Sequence, residues 1–159
     1  MNAITRETVH LIHRTDGLLA AIPASLALLA LRIALAIPFF RSGLTKWDGF
    51  LSVSPGTQFL FANEFKLHIF GQAYAYPFPL LMAWGASIGE IILPILLVIG
   101  LFTRLSALGL LFMTIIIQLT IPAAWANFHL PWGAMALALV VYGGGRLAVD
   151  GWLLSAPRR

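Results

Sequence analysis

The chain has 159 residues, of which 60% are hydrophobic and only 10% are charged, and its mean hydropathy is +0.90. Soluble domains carry about 25% charged residues. This deficit, together with several apolar stretches near about 20 residues long, excludes an ordinary soluble domain and predicts an integral membrane protein. The formal charge of +4 does not indicate nucleic-acid binding, because the ten lysines and arginines are scattered along the chain. Cysteine is absent, which excludes disulfides, thiol redox centres and thiolate metal sites.

The first 24 residues are predicted to lie on the cytoplasmic side or in the membrane interface. Residues 1–16 are polar and mixed in charge, which fits either a short amphipathic surface helix or a frayed tail. An apolar run then begins at Gly17, and with the later Ala34-Leu35-Ala36 it resembles a secretory signal. We favour an uncleaved first helix, because the apolar run continues through Phe40 and cleavage would delete a span.

Four membrane spans are predicted, over residues 25–46, 80–101, 104–122 and 132–147. The one long connection, 47–79, contains a mostly apolar stretch at 57–71 that predicts an interfacial or half-inserted helix. Because part of this stretch alternates between apolar and polar residues, a strand stays open as an alternative. The predicted fold class is therefore all-α: a polytopic four-transmembrane-helix bundle in a single membrane domain, 1–159, with an additional interfacial helix in the first exterior loop.

The distribution of positive charge predicts the orientation in the membrane. One side carries six lysines and arginines and the opposite side carries two, Lys46 and Lys66. The six are Arg6, Arg14, Arg104, Arg146, Arg158 and Arg159. Because positive loops stay in the cytoplasm, both termini are expected there, in a bacterial-type inner (plasma) membrane.

Two ionisable residues lie deep inside predicted spans and form the main candidate site. Arg32 and Glu90 each cost roughly 2.5–3.5 kcal/mol in the hydrocarbon core unless they find a partner. Counted from the outer ends of their helices, their heights differ by roughly 6 Å, which long side chains can bridge. We therefore expect an Arg32–Glu90 pair. It is either a structural ion pair or a site that binds a polar headgroup, such as a quinone carbonyl, or moves a proton.

Helical phasing assigns roles to the neighbours of Arg32. Gly43 and Lys46 fall on the same side of the first span as Arg32, so Gly43 offers a packing surface and Lys46 adds a cation at the outer mouth. Arg41 points the opposite way and is expected at the outer rim, within reach of Asp48. The candidate ligand-binding residues are therefore Arg32, Lys46 and Glu90.

The remaining polar residues carry weaker hypotheses. Thr114 and Gln118 share a helix face and are interpreted as interhelical hydrogen-bonding residues. His68 and His129 lie in separate exterior loops and would supply only two ligands of a metal site, so no metal is predicted. No nucleophile–base pair marks a self-contained active site, and the catalytic residues are unknown.

From about residue 25 onward the chain resembles the DoxX family of membrane proteins. The resemblance rests on Arg32 with Gly43-Leu44-Thr45-Lys46, on Glu90-Ile91-Ile92-Leu93-Pro94, on Gly100-Leu101-Phe102-Thr103-Arg104, and on the closing segment 143–150. It implies a four-helix membrane protein. Some relatives are subunits of thiosulfate:quinone oxidoreductase, and others associate with partner enzymes in redox or oxidative-stress complexes.

Three functions therefore stay open at the level of sequence. The first is a membrane subunit or anchor of a quinone-linked redox or oxidative-stress system, with the bilayer, a partner redox protein and further copies of the chain as candidate partners. The second is a small proton-coupled transporter, motivated by the same buried charges. The third is a non-catalytic scaffold that recruits a partner through the 47–79 loop.

Overall fold

A computed structural model describes residues 3–155, so Arg158 and Arg159 of the charge count lie outside the described residues. Four of its helices are long and apolar enough to cross a membrane. They comprise α2 (Ala24–Leu44), α4 (Pro79–Ile99), α5 (Thr103–Thr120) and the helical stretch Pro122–Tyr142, whose regular part is α6 (Leu130–Tyr142). This confirms the predicted all-α, four-transmembrane-helix fold class.

Shorter elements flank the four spans. Helix α1 (Ala3–Ala20) precedes the first span, and a break around Pro23 separates the two. Of the two forms expected for the first residues, the chain therefore adopts a helix. At the other end, a short helix α7 (Val149–Ser155) follows the last span.

The fourth span differs from its predicted bounds of 132–147. A 3₁₀ turn, Pro122–Ala124, and a π-helical turn, Trp125–His129, lead into α6, so the span begins earlier than expected. It ends at Tyr142, because Gly143 takes a φ of +76° that breaks the helix.

The long connection between α2 and α4 contains both helix and strand. Helix α3 (Pro55–Phe59) begins at Ser54, whose hydroxyl accepts from the backbone N–H of Thr57, and a π-helical turn continues it through Glu64. Strands β1 (Lys66–Ile69) and β2 (Gln72–Ala75) then form an antiparallel hairpin. The open choice for 57–71 thus resolves as a helix followed by a strand. The predicted interfacial helix is shorter than expected.

Two groups of buried side chains hold these elements together. The larger lies between the spans, and its buried members are Leu35, Phe39, Leu97, Ala107, Leu110, Ala136 and Leu139. The smaller joins the segment between α2 and α4, residues 45–78, which we call the outer connection, to the start of α4 through Phe61, Tyr76 and Ala83. The outer segment is therefore packed onto the bundle and does not hang free of it.

Spans α2 and α4 approach closely at Gly43 of α2. A Cβ atom at this position would lie 2.9 Å from the backbone carbonyl carbon and oxygen of Glu90 in α4, which is shorter than any normal contact. Glycine is therefore required for this crossing, and the contact fixes the register of α2 against α4.

We predict that Gly43→Leu lowers the unfolding temperature of the protein in detergent. The added side chain has to push α2 away from α4, and overpacking of this kind typically costs about 1–3 kcal/mol. Gly85→Ala in α4 is the control, because a Cβ atom there meets nothing within 4 Å. Equal melting temperatures for Gly43→Leu and the wild type would contradict the required contact.

Candidate functional site

The structure separates Arg32 from Glu90, so the predicted ion pair between them is wrong. Gly43 follows Arg32 by eleven residues in α2, which places the two roughly 16 Å apart along the axis. Since Gly43 lies against the backbone of Glu90, Arg32 is far from that carboxylate. The height difference estimated from the sequence was wrong because the estimate assumed that α2 and α4 end at the same level. In the structure α4 extends outward well past the end of α2.

Arg32 is almost completely buried, with 1% of its surface exposed, and it is satisfied by backbone oxygens. Its Nε donates to the carbonyl of Leu97 at 2.8 Å, and Nη2 donates to the carbonyl of Val98. Nη1 donates to the carbonyls of Gly144 at 3.1 Å and Leu147 at 3.2 Å. The guanidinium therefore joins the end of α4 to the segment after α6.

Asp150 completes this end of the bundle. Its carboxylate accepts from the backbone N–H groups of Phe102 at 2.9 Å and Thr103 at 2.6 Å, which caps the start of α5. Burial would raise the pKa of Asp150, but the hydrogen bonds from Thr103 and Phe102 and the nearby charge of Arg32 together lower it. A negative charge thus lies near the buried arginine, and sequence reasoning assigned it no role.

Glycines make this arrangement possible. A Cβ atom at Gly100 or at Gly144 would lie 2.5 Å from the Cβ of Ala148. Gly100 also has a φ of +79°, in the left-handed region that favours glycine. The closing glycine-rich segment therefore folds back onto the α4–α5 turn and supplies the oxygens that Arg32 requires.

Glu90 is paired with Lys46 instead of Arg32. Lys46 lies just beyond the end of α2, and its Nζ donates to Oε2 of Glu90 at 2.5 Å and to the hydroxyl of Ser42 at 2.9 Å. The two side chains are 14% and 5% exposed. A buried carboxylate and its counterion therefore lie toward the end of α2 that leads into the 47–79 connection, at the level where Gly43 meets α4.

This ion pair forms part of the wall of a cavity of about 560 Å³. Residues from α2, α4, α5 and the outer connection line it on part of its surface, and most of them are apolar. Aromatic and aliphatic members include Phe61, Phe65, Leu93, Phe112, Met113 and Ile116. Cavities of about 300–1,000 Å³ that are mainly apolar, with a few convergent polar groups, are typical of small-molecule sites.

A second polar group lines the same cavity at the junction of the outer connection and α5. The hydroxyls of Tyr76 and Thr120 lie 2.5 Å apart, and both residues belong to the wall. Burial raises the pKa of Tyr76, while its hydrogen bond to Thr120 acts in the opposite direction. Sequence reasoning missed both residues, because neither lies in a motif that would mark it.

Glycines open the cavity as well. A Cβ atom at Gly85 would meet nothing within 4 Å, and Gly85 lines the cavity. At Gly89 a Cβ atom would lie 3.1 Å from the sulfur of Met113 in α5. Two glycines four residues apart are typical of a helix face that packs closely on another helix. Here only Gly89 contacts a neighbouring helix, and Gly85 borders open space.

The other candidate residues lie apart from the cavity or serve local structure. Arg41 is exposed on α2, and among the side chains that the structure describes it makes no ion pair with Asp48 or any other residue. Thr114 donates to the carbonyl of Leu110 in its own helix, so its expected interhelical bond is wrong. Gln118 does link two segments, because its Oε1 accepts from Nδ1 of His129 at 2.6 Å.

The two histidines do not form a shared site in the described part of the chain. His68 is exposed, and its Nδ1 lies 3.1 Å from the carbonyl oxygen of Leu119. His129 is 3% exposed and packs against Trp132, with ring centroids 5.4 Å apart. Among residues 3–155, no three histidines or acidic side chains cluster as a metal site would require.

Comparison with known proteins agrees with this architecture. The DoxX family model matches residues 27–123, which is more than half of the chain. The chain belongs to the DoxX family. It is also 32% identical to an uncharacterized protein of Haemophilus influenzae over 154 residues, covering 85% of this chain and 88% of that protein. No solved structure matches the chain.

Membership in the DoxX family accounts for the sequence motifs, but it gives no function to the cavity. The match ends at residue 123, so it includes Arg32, Lys46, Glu90 and the outer connection but not the closing segment that holds Arg32. The protein is therefore a DoxX-family membrane protein with four spans, and the role of its cavity has to be argued from geometry.

We predict that Arg32→Gln destabilises the protein strongly. The substitution leaves several backbone carbonyls without their donor, and a buried acceptor left unpaired costs about 1–3 kcal/mol. It also removes the positive charge near Asp150. Arg41→Gln is the matched control, since Arg41 is an exposed arginine on the same helix. The measurement is thermal unfolding in detergent. A similar loss in both variants would contradict the role of Arg32.

We predict that Asp150 makes stability dependent on acid pH. Because its pKa is lower in the folded state, the stabilisation is complete above the unfolded pKa and is lost as the pH falls through the folded value. Asp150→Asn should lower the unfolding temperature at neutral pH and flatten its decline in acid. The exposed Asp48→Asn is the control. Parallel pH curves for wild type and Asp150→Asn would reject the prediction.

Proposed function

We propose that this DoxX-family protein is a quinone-binding membrane subunit of a redox system. The observation that carries the proposal is the apolar cavity of about 560 Å³ with the buried Lys46–Glu90 pair in its wall. A quinone has a flat ring with polar oxygens and an apolar tail. The cavity supplies aromatic and aliphatic walls for the ring and tail, and polar groups for the oxygens.

The residues present fit such a ligand on three counts. Gly85 leaves open space beside the cavity wall, so a flat ring can approach the backbone of α4. Glu90 and Lys46 are held in place by the register contact at Gly43, so their polar atoms need little reorganisation on binding. Tyr76 and Thr120 provide a second polar point on the same wall.

Electron transfer at this site requires a partner or another cofactor. The sequence has no cysteine, so the chain has no thiol redox centre of its own. Bound quinone would supply the redox chemistry, and this chain would bind and orient it. We infer that the protein acts as the membrane anchor of a partner redox protein, in agreement with the roles that the family resemblance implies.

The proposed orientation places the cavity in the outer half of a bacterial inner membrane. Arg104 and Arg146 lie at the end of the bundle near Arg32, whereas Lys46 and Lys66 belong to the cavity end. The excess of positive charge at the Arg32 end of the bundle supports the proposal that both termini are cytoplasmic. The outer connection that covers the cavity would then face the periplasm or the cell exterior.

The transport alternative loses its main motivation in this geometry. It was suggested by two buried charges that would together line a path. Arg32 instead donates to carbonyls at one end of the bundle, while Glu90 pairs with Lys46 at the cavity. The structural arrangement therefore favours a binding site that opens toward one half of the membrane.

The proposal is tested by measuring quinone in the purified protein. Membranes containing native quinones are solubilised in mild detergent, and the quinone that co-purifies is extracted and quantified by chromatography. We expect the wild type to retain quinone. Gly85→Leu, which fills the cavity, and Glu90→Gln, which removes the buried charge, should each retain several-fold less.

Matched controls separate the site from general effects of substitution. Gly56→Leu lies in the outer connection, where a Cβ atom also meets nothing within 4 Å, and Glu64→Gln changes an exposed glutamate. Both should retain quinone at the wild-type level. Recovery of phospholipid alone from the wild type, under conditions where a known quinone-binding protein keeps its quinone, would reject the proposal.

A further inference from the structure

The hydrogen bond between Tyr76 and Thr120 has a defined direction. The hydroxyl of Thr120 has one hydrogen, and it donates to the carbonyl of Ile116 at 2.8 Å. Thr120 Oγ1 therefore has to accept from the hydroxyl of Tyr76, which lies 2.5 Å away. With its own hydrogen used, the oxygen of Tyr76 has only lone pairs left for a ligand in the cavity.

The hydrogens of Lys46 are also used within the protein. Its ammonium group has three, and it donates to Oε2 of Glu90, to the hydroxyl of Ser42 and, at 3.4 Å, to the carbonyl of Ser42. Oε1 of Glu90 accepts from no group in the part of the chain whose side chains the structure describes, residues 10 and 12–153. A ligand therefore meets a carboxylate oxygen here, with the hydroxyl of Ser42 as a nearby donor.

The two polar points of the cavity are thus mainly hydrogen-bond acceptors. The carbonyl oxygens of an oxidised quinone are acceptors too, so they would leave Glu90 Oε1 and the Tyr76 oxygen buried and unpaired. The two hydroxyls of a reduced quinone can donate to these oxygens, and such a hydroxyl can also accept from Ser42. The polar groups of the wall are complementary to the reduced ligand.

We propose that the cavity selects the reduced, dihydroxy form of a quinone over the oxidised form. This inference rests on the proposed quinone site and makes it more specific. A hydrogen bond to a charged group changes affinity by about tenfold or more. We therefore expect the reduced form to bind about tenfold more tightly, or better.

The test uses the full-length protein in detergent and a para-benzoquinone with a ten-carbon tail, oxidised or reduced, under anaerobic conditions. Dissociation constants of the two forms are measured by calorimetric titration. The ratio of the constants is the readout, and it does not depend on catalytic turnover or on a partner protein. The wild type should bind the reduced form about tenfold more tightly.

Thr120→Val is expected to weaken the preference for the reduced form. Valine has a similar shape but no acceptor, so the hydroxyl of Tyr76 is freed to donate to a ligand carbonyl. The preference for the reduced form should shrink or reverse, and Glu90→Gln, which adds an amide donor, should act in the same direction. Thr114→Val is the control, because Thr114 bonds within α5 and lies outside the cavity wall.

The outcomes distinguish this inference from the proposed function. If neither form binds to the wild type, both the quinone site and its selectivity are rejected. If the oxidised form binds as tightly as the reduced form, or more tightly, the quinone site stands and the selectivity is rejected. If the wild type prefers the reduced form but folded Thr120→Val and Glu90→Gln keep the same ratio, the assigned atoms are wrong.

Discussion

One end of the bundle has to supply hydrogen-bond acceptors and a negative charge for the buried guanidinium of Arg32. A charge at this depth is costly unless it is fully hydrogen-bonded and balanced. Two carbonyls from the end of α4 and two from the segment after α6 accept from it, and Asp150 places a negative charge close by. The α4–α5 turn, the glycine-rich segment and the start of α5 are all shaped by this requirement. Their glycines permit the close contacts that bring the oxygens together.

The contact between Gly43 and the backbone of Glu90 divides the charged residues into two separate groups. It fixes how far α4 is shifted along α2, and the shift brings Lys46 to Glu90 while Arg32 reaches the opposite end of α4. One group is a structural joint made of backbone oxygens. The other is an ion pair beside an apolar cavity. A single close contact between two helices therefore determines which charge holds the bundle together and which one is available to a ligand.

The outer connection completes a cavity whose wall is formed mostly by the spans. Phe61 in its π-helical turn, Phe65 just after that turn and Tyr76 shortly before α4 all line the cavity. Strand β1 packs beside α5 through the contact of His68 with Leu119. Because α4 extends past the end of α2, this segment has a helical surface on which to pack. The cavity is the space that remains between that segment and the bundle. Its apolar walls and acceptor atoms are the features on which the proposed binding of a ring with hydroxyl groups rests.

The sequence by itself determined the four spans, because the length and apolar composition of each stretch are decided by the thickness of the hydrocarbon core. Helical phasing also placed Arg32, Gly43 and Lys46 on the face of α2 that packs inward. The sequence could not decide between a helix and a strand in the outer connection, since a short alternating stretch fits both. Only the tertiary structure decided that Glu90 pairs with Lys46, because the axial shift between α2 and α4 depends on a contact between residues 47 positions apart. For the same reason Tyr76, Thr120 and Asp150 could not be recognised. Each is an ordinary residue in its own segment, and its role comes from the distant atoms that folding brings to it.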